Sequence, residues 1–227
     1  MKAYDVILLD IDGTLLDFNM AERQGISAVL EANGVEPTEE LMQRYHHINQ
    51  ELWKSFERGD IAKEEIMQLR FPRLFETLGK TVDVSATERL YRSCLNHSAV
   101  LLDGAWECCQ YLKGKYRLYV VTNGVSETQY QRLKDSGLEQ FFQDVFVSED
   151  AGSQKPQKEF FDYCFRKIPK ADPGKMLIIG DSLTSDIKGG NAAGIHTCWY
   201  NPEGQPKDQQ VQVTYEIRHL RELQTFL

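Results

Sequence analysis

Short apolar runs recur along the chain, each closed by a polar residue or a glycine, at residues 6–9, 118–121, 145–147, 176–179 and 197–200. Runs of this length bounded by turn residues predict strands buried on both faces. From Asp103 onward the intervening stretches carry apolar residues at steps of three and four, which predicts helices over 105–112, 128–138, 157–168 and 184–193. Strands alternating with helices in this way predict a parallel sheet with helices on both faces, a Rossmann-like α/β core.

Residues 17–95 break the alternation. Leu41, Met42, Tyr45, Ile48, Leu52 and Phe56 follow helical steps, and Ile66, Leu69, Leu74, Phe75 and Leu78 do so again. Thr38 stands where an N-cap is needed, and Gly34, Gly59 and Gly79 stand where glycines end helices. Pro72 falls inside a helical pattern and is expected to kink or divide it. Pro156 is expected to stiffen its loop and start the next helix. The organisation predicted is a core of residues 1–16 and 96–227 carrying an all-helical insertion over 17–95. The polar, Pro- and Gly-bearing stretch 201–210 predicts a loop.

A length of 227 residues corresponds to roughly one and a half domains, which suits a single core with an insertion. The 26 basic against 34 acidic residues give a formal charge of −8, which argues against a protein that holds long nucleic acid by its phosphate backbone. A small anionic ligand is compatible with this balance if the site supplies its own cations. The five cysteines are odd in number and lack a C-x-x-C spacing, so neither a disulfide framework nor a zinc site is expected. No stretch reaches the ~20 apolar residues of a membrane span. The run after Met1 is too short for a secretory segment, and a cytoplasmic protein is expected.

Four strand ends carry candidate chemistry. Asp10-Ile11-Asp12-Gly13-Thr14 follows the first run directly. Extended alternation would send Asp10 and Asp12 to one side and Ile11 back to the core, at the strand edge where open α/β sheets bind ligands. Asp181 and Asp186 close the fourth run in Gly180-Asp181-Ser182-Leu183-Thr184-Ser185-Asp186. Four carboxylates converging at one edge require a cation, and oxygen-only ligands favour Mg²⁺. Thr122-Asn123-Gly124 offers a hydroxyl, an amide and backbone N–H groups suited to phosphate oxygens, and Lys155-Pro156 adds a fixed positive charge.

This ordered set resembles the haloacid dehalogenase superfamily of phosphohydrolases, and the helical insertion resembles that superfamily's first type of cap. The resemblance implies a two-step phosphoryl transfer. Asp10 is the expected nucleophile, forming an aspartyl-phosphate, and Asp12 the expected acid and base. Thr122, with Asn123, is expected to bind the phosphoryl group, and Lys155 to offset negative charge. Mg²⁺ is expected on Asp10, the Asp12 backbone carbonyl, Asp181 and Asp186. Ile48 to Trp53, Gln131-Arg132-Leu133 and Thr197-Cys198-Trp199 are similar to the pyrimidine nucleoside monophosphate 5′-nucleotidases. That likeness implies a pyrimidine nucleotide such as UMP, dUMP or dTMP as substrate; a monomer or small homo-oligomer is expected. Asn49 is a candidate for hydrogen bonding to a base or ribose, and Trp53 for stacking on a base, although Trp53 also lies beside the apolar stripe. His46 and His47 read as helix-surface residues. The alternatives are a sugar-phosphate or other small-metabolite phosphatase, a phosphomutase, a dehalogenase, and a binding protein without catalysis. Asp12 counts against the dehalogenase, and Thr14 suits a hydrolase better than a mutase.

Overall fold

A computed structural model describes residues 4–207 and 209–227. Met1 lies outside them, as does Asp208 within the stretch read as a loop. Strand β1 (Val6–Leu9) is followed by four helices, α1 (Phe18–Ala32), α2 (Glu39–Arg58), α3 (Lys63–Glu76) and α4 (Val84–Asn96). The chain then runs α5 (Ala105–Lys113), β2 (Arg117–Thr122), α6 (Ser126–Asp135), β3 (Asp144–Val147), α7 (Ser148–Ala151), α8 (Lys158–Lys167), β4 (Met176–Gly180), α9 (Lys188–Ala192), β5 (His196–Tyr200) and β6 (Tyr215–Ile217). Two compact units result, Met1–Asp17 with Ala99–Leu227, and Phe18–Ser98.

The first unit is built on a six-stranded parallel sheet of order β3-β2-β1-β4-β5-β6. Its strands obey a strict two-residue period. Ile7, Leu9, Leu118, Val120, Leu177 and Ile179 pack in the layer containing Cys108, Cys109 and Leu112 of α5 and Leu133 of α6. Val6, Leu8, Tyr119, Val121, Met176 and Ile178 pack in the opposite layer, with Phe160, Phe161 and Cys164 of α8. Because both faces are buried, the strands read as unbroken apolar runs. Strand order reverses between β1 and β4, which makes their carboxyl ends the topological switch point where such sheets bind ligands.

Some elements differ from expectation. Strand β6 lies in no apolar run, because only Ile217 of its three residues is buried. Helix α6 stops at Asp135, and Gly137, at φ 72°, separates it from a 3₁₀ turn at Leu138–Phe141. The helix expected over 184–193 begins as a π-type turn, Leu183–Ile187, in which the Ile187 N–H donates to the Ser182 carbonyl at 3.1 Å. Pro156 does not start α8; Gln157, with extended backbone, is its N-cap and Lys158 its first residue. All five cysteines are free thiols. Among the described residues no helix is long and apolar enough to cross a membrane.

The second unit packs α1 to α4 around Tyr45, Phe71, Phe75 and Tyr91. Thr38 caps α2 by accepting from the Leu41 N–H at 3.4 Å, and Gly59 ends it at φ 80°. Within the first unit the chain segments on either side of the insertion are joined to each other: the Asp17 N–H donates to the Val100 carbonyl (2.9 Å), the Leu102 N–H donates to the Leu15 carbonyl (3.0 Å), and Leu16 bridges Leu101. Contrary to the expectation of a divided helix, α3 runs through Pro72 without interruption. The burial of Arg70, Phe71, Leu74 and Phe75 on either side of it outweighs the missing donor. A proline in a helix interior costs about 3 kcal/mol, whereas restricting the unfolded chain returns only about 0.4–1 kcal/mol. Pro72→Ala is therefore expected to stabilise the protein by about 2 kcal/mol, seen as a raised urea midpoint; a lowered midpoint would contradict this account.

Candidate active site

Asp10 follows β1 with the parity of Val6 and Leu8, so it turns toward the sheet face whose covering helix, α8, is preceded by Lys155. Its carboxylate is buried, and its Oδ1 accepts from Lys155 Nζ at 2.6 Å. Lys155 is itself only 1% exposed. Its other two donors go to Asp186 Oδ1 (2.7 Å) and the Val121 carbonyl (2.9 Å). All three ammonium hydrogens are thus assigned. Among the described residues, Asp10, Asp181 and Asp186 are the one acidic group whose ligand atoms could converge on a metal ion, lying within 4.8 Å of one another.

Two glycines allow this convergence. At Gly180 a Cβ would overlap the Asp186 carboxyl, so only glycine lets the π-type turn fold Asp186 back against the end of β4. Gly13, at φ 78°, carries the chain away from the sheet, and a Cβ there would stand 2.6 Å from Asp181 Oδ2. Asp181 is fixed from two sides. Its N–H donates to Thr14 Oγ1 (3.1 Å), that hydroxyl donates to Asp181 Oδ1 (3.3 Å), and Trp199 Nε1 of β5 donates to the Asp181 carbonyl (2.8 Å). The second oxygen of Asp186 accepts from the Ser182 N–H at 3.2 Å.

Asp12 has partners of its own. Turn bonds from the Thr14 and Leu15 N–H groups to the Ile11 carbonyl begin directly beyond Asp10. The Asp12 carboxylate accepts from two residues of α6: Gln129 Nε2 donates to its Oδ2 at 2.6 Å, and Arg132 Nη1 is bonded to its Oδ1. Gln129 Nε2 also donates to Thr122 Oγ1 at 2.9 Å, which ties Asp12 to the end of β2. Neither Gln129 nor the Asp12–Arg132 pair is evident from the residues alone. The available signal is their three-residue spacing, which puts both on the helix face that also buries Thr128 and Leu133.

Asn123 is drawn to Lys155 rather than aimed outward. Its Nδ2 donates to the Lys155 carbonyl and its Oδ1 accepts from the Lys155 N–H, both at 2.9 Å, so its side chain braces the lysine loop. Asn49 and Trp53 belong to the helical unit. Asn49 is 2% exposed, donating to Glu22 Oε1 (2.8 Å) and accepting from Arg70 Nη1 (3.5 Å), so its carboxamide is committed to the interior of that unit. Trp53 packs edge-on against Phe56 at 5.7 Å between ring centroids, on the cluster formed by Leu52, Phe56 and Ile66. His47 is exposed, as expected of a helix-surface residue, whereas His46 Nδ1 lies 2.5 Å from the buried Glu22 carboxylate.

The electrostatics show charge in excess of what Lys155 offsets. Burial pushes the Asp10 carboxyl well above the usual carboxylate range, and the Asp186, Asp181 and Asp12 charges add to this against the opposing effect of Lys155. Asp181 keeps solvent access, yet the protein packed around it and the Asp186 charge push its carboxyl up to about 7. Burial works against the Lys155 ammonium, but Asp10 and Asp186 outweigh it and hold the amine protonated. Asp10 and Asp181, both raised in this way, favour a cation beside them.

This fold and acidic site define a class. A family model for haloacid dehalogenase-like hydrolases matches residues 4–194. HAD-hydrolase YfnB of Bacillus subtilis strain 168 is 46% identical over 223 residues, 98% of this chain and 95% of that protein. An orthorhombic crystal form of YfnB bound to magnesium, described as revealing interdomain movement, superposes with a TM-score of 0.94 over 99% of this chain and 98% of that one. Pyrimidine 5′-nucleotidase PynA of Streptococcus pneumoniae R6 is 39% identical over 97% of this chain and 93% of its own length. Pyrimidine 5′-nucleotidase YjjG of Escherichia coli K12 is 30% identical over 99% and 98%. The chain belongs to the haloacid dehalogenase-like hydrolases, with the acidic motif set of those that cleave phosphoric monoesters.

A raised carboxyl pKa has a thermodynamic sign. Between the unfolded value near 3.8 and the folded value of about 7, the folded state holds more of the Asp181 proton than the unfolded state does. Its contribution to stability therefore declines as pH rises through that window. With divalent cations removed by chelation, Asp181→Asn is expected to flatten the fall in Tm between pH 4 and 7; an unchanged slope would show that Asp181 does not carry the excess charge.

Proposed function

We propose that the protein is a magnesium-dependent phosphomonoesterase that hydrolyses pyrimidine nucleoside 5′-monophosphates such as UMP, dUMP and dTMP. It acts through an aspartyl-phosphate, in the cytoplasm, as a monomer or small homo-oligomer. The observation that carries the reading is the division of labour between two carboxylates one residue apart. Asp10 lies with Lys155, Asp181 and Asp186, while Asp12 is held separately by Gln129 and Arg132. A nucleophile and an acid–base group need different environments, and two acids placed differently meet that need. The pyrimidine nucleotide preference is supported by likeness to PynA and YjjG, which cover almost the whole chain.

In this reading Asp10 attacks phosphorus. Lys155 engages its Oδ1, and Oδ2 has no side-chain partner among the described residues, so one oxygen is tethered and the other is open. As the P–O bond to the nucleoside breaks, Asp12 passes a proton to the departing 5′-oxygen. Asp12 then takes a proton from the water that cleaves the aspartyl-phosphate, which restores Asp10 and releases phosphate. Thr122 binds the transferring group, and Lys155 offsets its charge. Asn123 acts on the phosphate through the Lys155 loop that it braces.

The residues fit a hard divalent cation. The cluster offers carboxylate oxygens only, and two of its acids, Asp10 and Asp181, are pushed toward protonation by burial and by the neighbouring acidic charge. Asp10, the Asp12 backbone carbonyl, Asp181 and Asp186 would hold magnesium, which supplies two positive charges beside an incoming phosphate dianion.

Assay of p-nitrophenyl phosphate, UMP, dUMP, dTMP, purine nucleotides and hexose phosphates with and without Mg²⁺ tests the assignment. Expected are loss of turnover on chelation and a preference for the pyrimidine nucleotides; a preference for hexose phosphates would overturn the substrate assignment. Asp10→Asn is expected to keep the native circular dichroism and lose on the order of 10⁴-fold or more in kcat. Multiple turnovers by that variant would overturn the mechanism.

A further inference from the structure

Gln129 is 1% exposed on α6, and every polar atom of its side chain has a partner. Its Nε2 carries two hydrogens, of which one goes to Asp12 Oδ2 (2.6 Å) and the other to Thr122 Oγ1 (2.9 Å). Its Oε1 accepts from Arg132 Nη1 at 3.3 Å, the same nitrogen that is bonded to Asp12 Oδ1. These partners determine which end of the carboxamide is which. Turned over, it would set an acceptor against the Asp12 carboxylate and a donor against the guanidinium, so both contacts would repel.

This orientation constrains Thr122. A hydroxyl oxygen has two lone pairs and one hydrogen. Thr122 Oγ1 accepts from Gln129 Nε2 and from the Gly124 N–H at 3.1 Å, so both lone pairs are occupied and only the hydrogen remains. The hydroxyl is left able to donate and unable to accept, the polarity a phosphoryl oxygen requires. The same glutamine, with Arg132, holds the Asp12 carboxylate at both oxygens and so sets its plane.

We propose that Gln129 is a positioning residue that commits the Thr122 hydroxyl to donating into the phosphoryl site and, with Arg132, aims the Asp12 carboxylate at the leaving oxygen. The proposal rests on the roles given above to Thr122 and Asp12, so the test measures those roles as well.

Two readouts separate the two effects. The competitive inhibition constant of inorganic phosphate reports the Thr122 donor. The ratio of kcat on an alkyl phosphate to kcat on p-nitrophenyl phosphate reports proton delivery, because nitrophenolate departs with little help. Gln129→Met keeps chain length and removes both donors. It is expected to raise the phosphate inhibition constant about tenfold and to lower the alkyl-to-aryl ratio by about ten- to a hundredfold. In a Thr122→Val background it should add nothing further to the phosphate constant, a non-additivity that loss of packing alone would not produce.

Gln129→Glu, close to isosteric, is expected to move both readouts in the same direction, because its acceptors draw the Thr122 hydroxyl away from the site. It carries the comparison if the methionine variant fails to give a native circular dichroism spectrum. Unchanged readouts in the folded variants, or additive effects with Thr122→Val, would overturn the inference. Asp12→Asn and Thr122→Val are measured alongside. If Asp12→Asn slows alkyl and aryl phosphates equally, or Thr122→Val leaves phosphate inhibition unchanged, the underlying role fails and takes this inference with it. If both behave as acid and donor while the Gln129 variants do nothing, only the positioning inference is lost.

Discussion

A single buried ammonium joins four separate pieces of chain, and the geometry of the site depends on it. Lys155 donates to Asp10 after β1, to the Val121 carbonyl within β2 and to Asp186 in the π-type turn after β4, while its own loop is pinned by Asn123. Removing one partner from a buried ion pair typically costs about 3–5 kcal/mol, because the other charge is stranded. Here one cation serves two acids, so neither Asp10 nor Asp186 can shift away without loss of its buried counter-charge. The convergence of strand ends at the switch point is therefore held electrostatically as well as by the sheet.

Two different cations serve two different sets of acids. Lysine, a compact point charge with three freely directed donors, suits the crowded cluster in which three acceptors approach from different directions. Arginine, whose Nη1 carries two hydrogens in the guanidinium plane, suits a carboxylate and a carboxamide lying side by side, as Asp12 and Gln129 do. The result is a divided site. One half carries more negative than positive charge and favours a metal ion, while the other is balanced internally by the Asp12–Arg132 pair.

Much of this was legible in the residues, for physical reasons that differ from place to place. Strands β1, β2 and β4 are visible because burial on both faces leaves apolar residues through their middles, and β3 and β5 because they end in buried apolar residues, whereas β6 is hidden by having one buried residue in three. The π-type turn at Leu183–Ile187 cannot be told from an α-helix by apolar spacing, since one widened turn hardly alters the period. Asp10, Asp181, Asp186 and Lys155 meet because strand ends of a parallel sheet share one edge, a consequence of topology alone. Gln129 and Arg132 do not follow from topology. A glutamine and an arginine on a helix ordinarily face solvent, and only the docking of α6 turns that face toward Asp12. Asn49 illustrates the converse: a polar residue in an amphipathic pattern, it is consumed by Glu22 and Arg70 inside its own unit.

The antiparallel pairing around Leu16 and Leu101 gives the inserted helices an unusual independence. Entry and exit of the insertion are clasped by backbone hydrogen bonds that belong to the sheet-bearing unit, from Leu102 to Leu15 and from Asp17 to Val100. The entropy of bringing the two ends together is thereby met once, by the core, and grows only with the logarithm of what lies between them. The sheet is consequently almost indifferent to the length of the segment it carries there. By this reckoning helices can be added, lost or exchanged between Asp17 and Ala99 while the acids, the lysine and the glutamine keep their places.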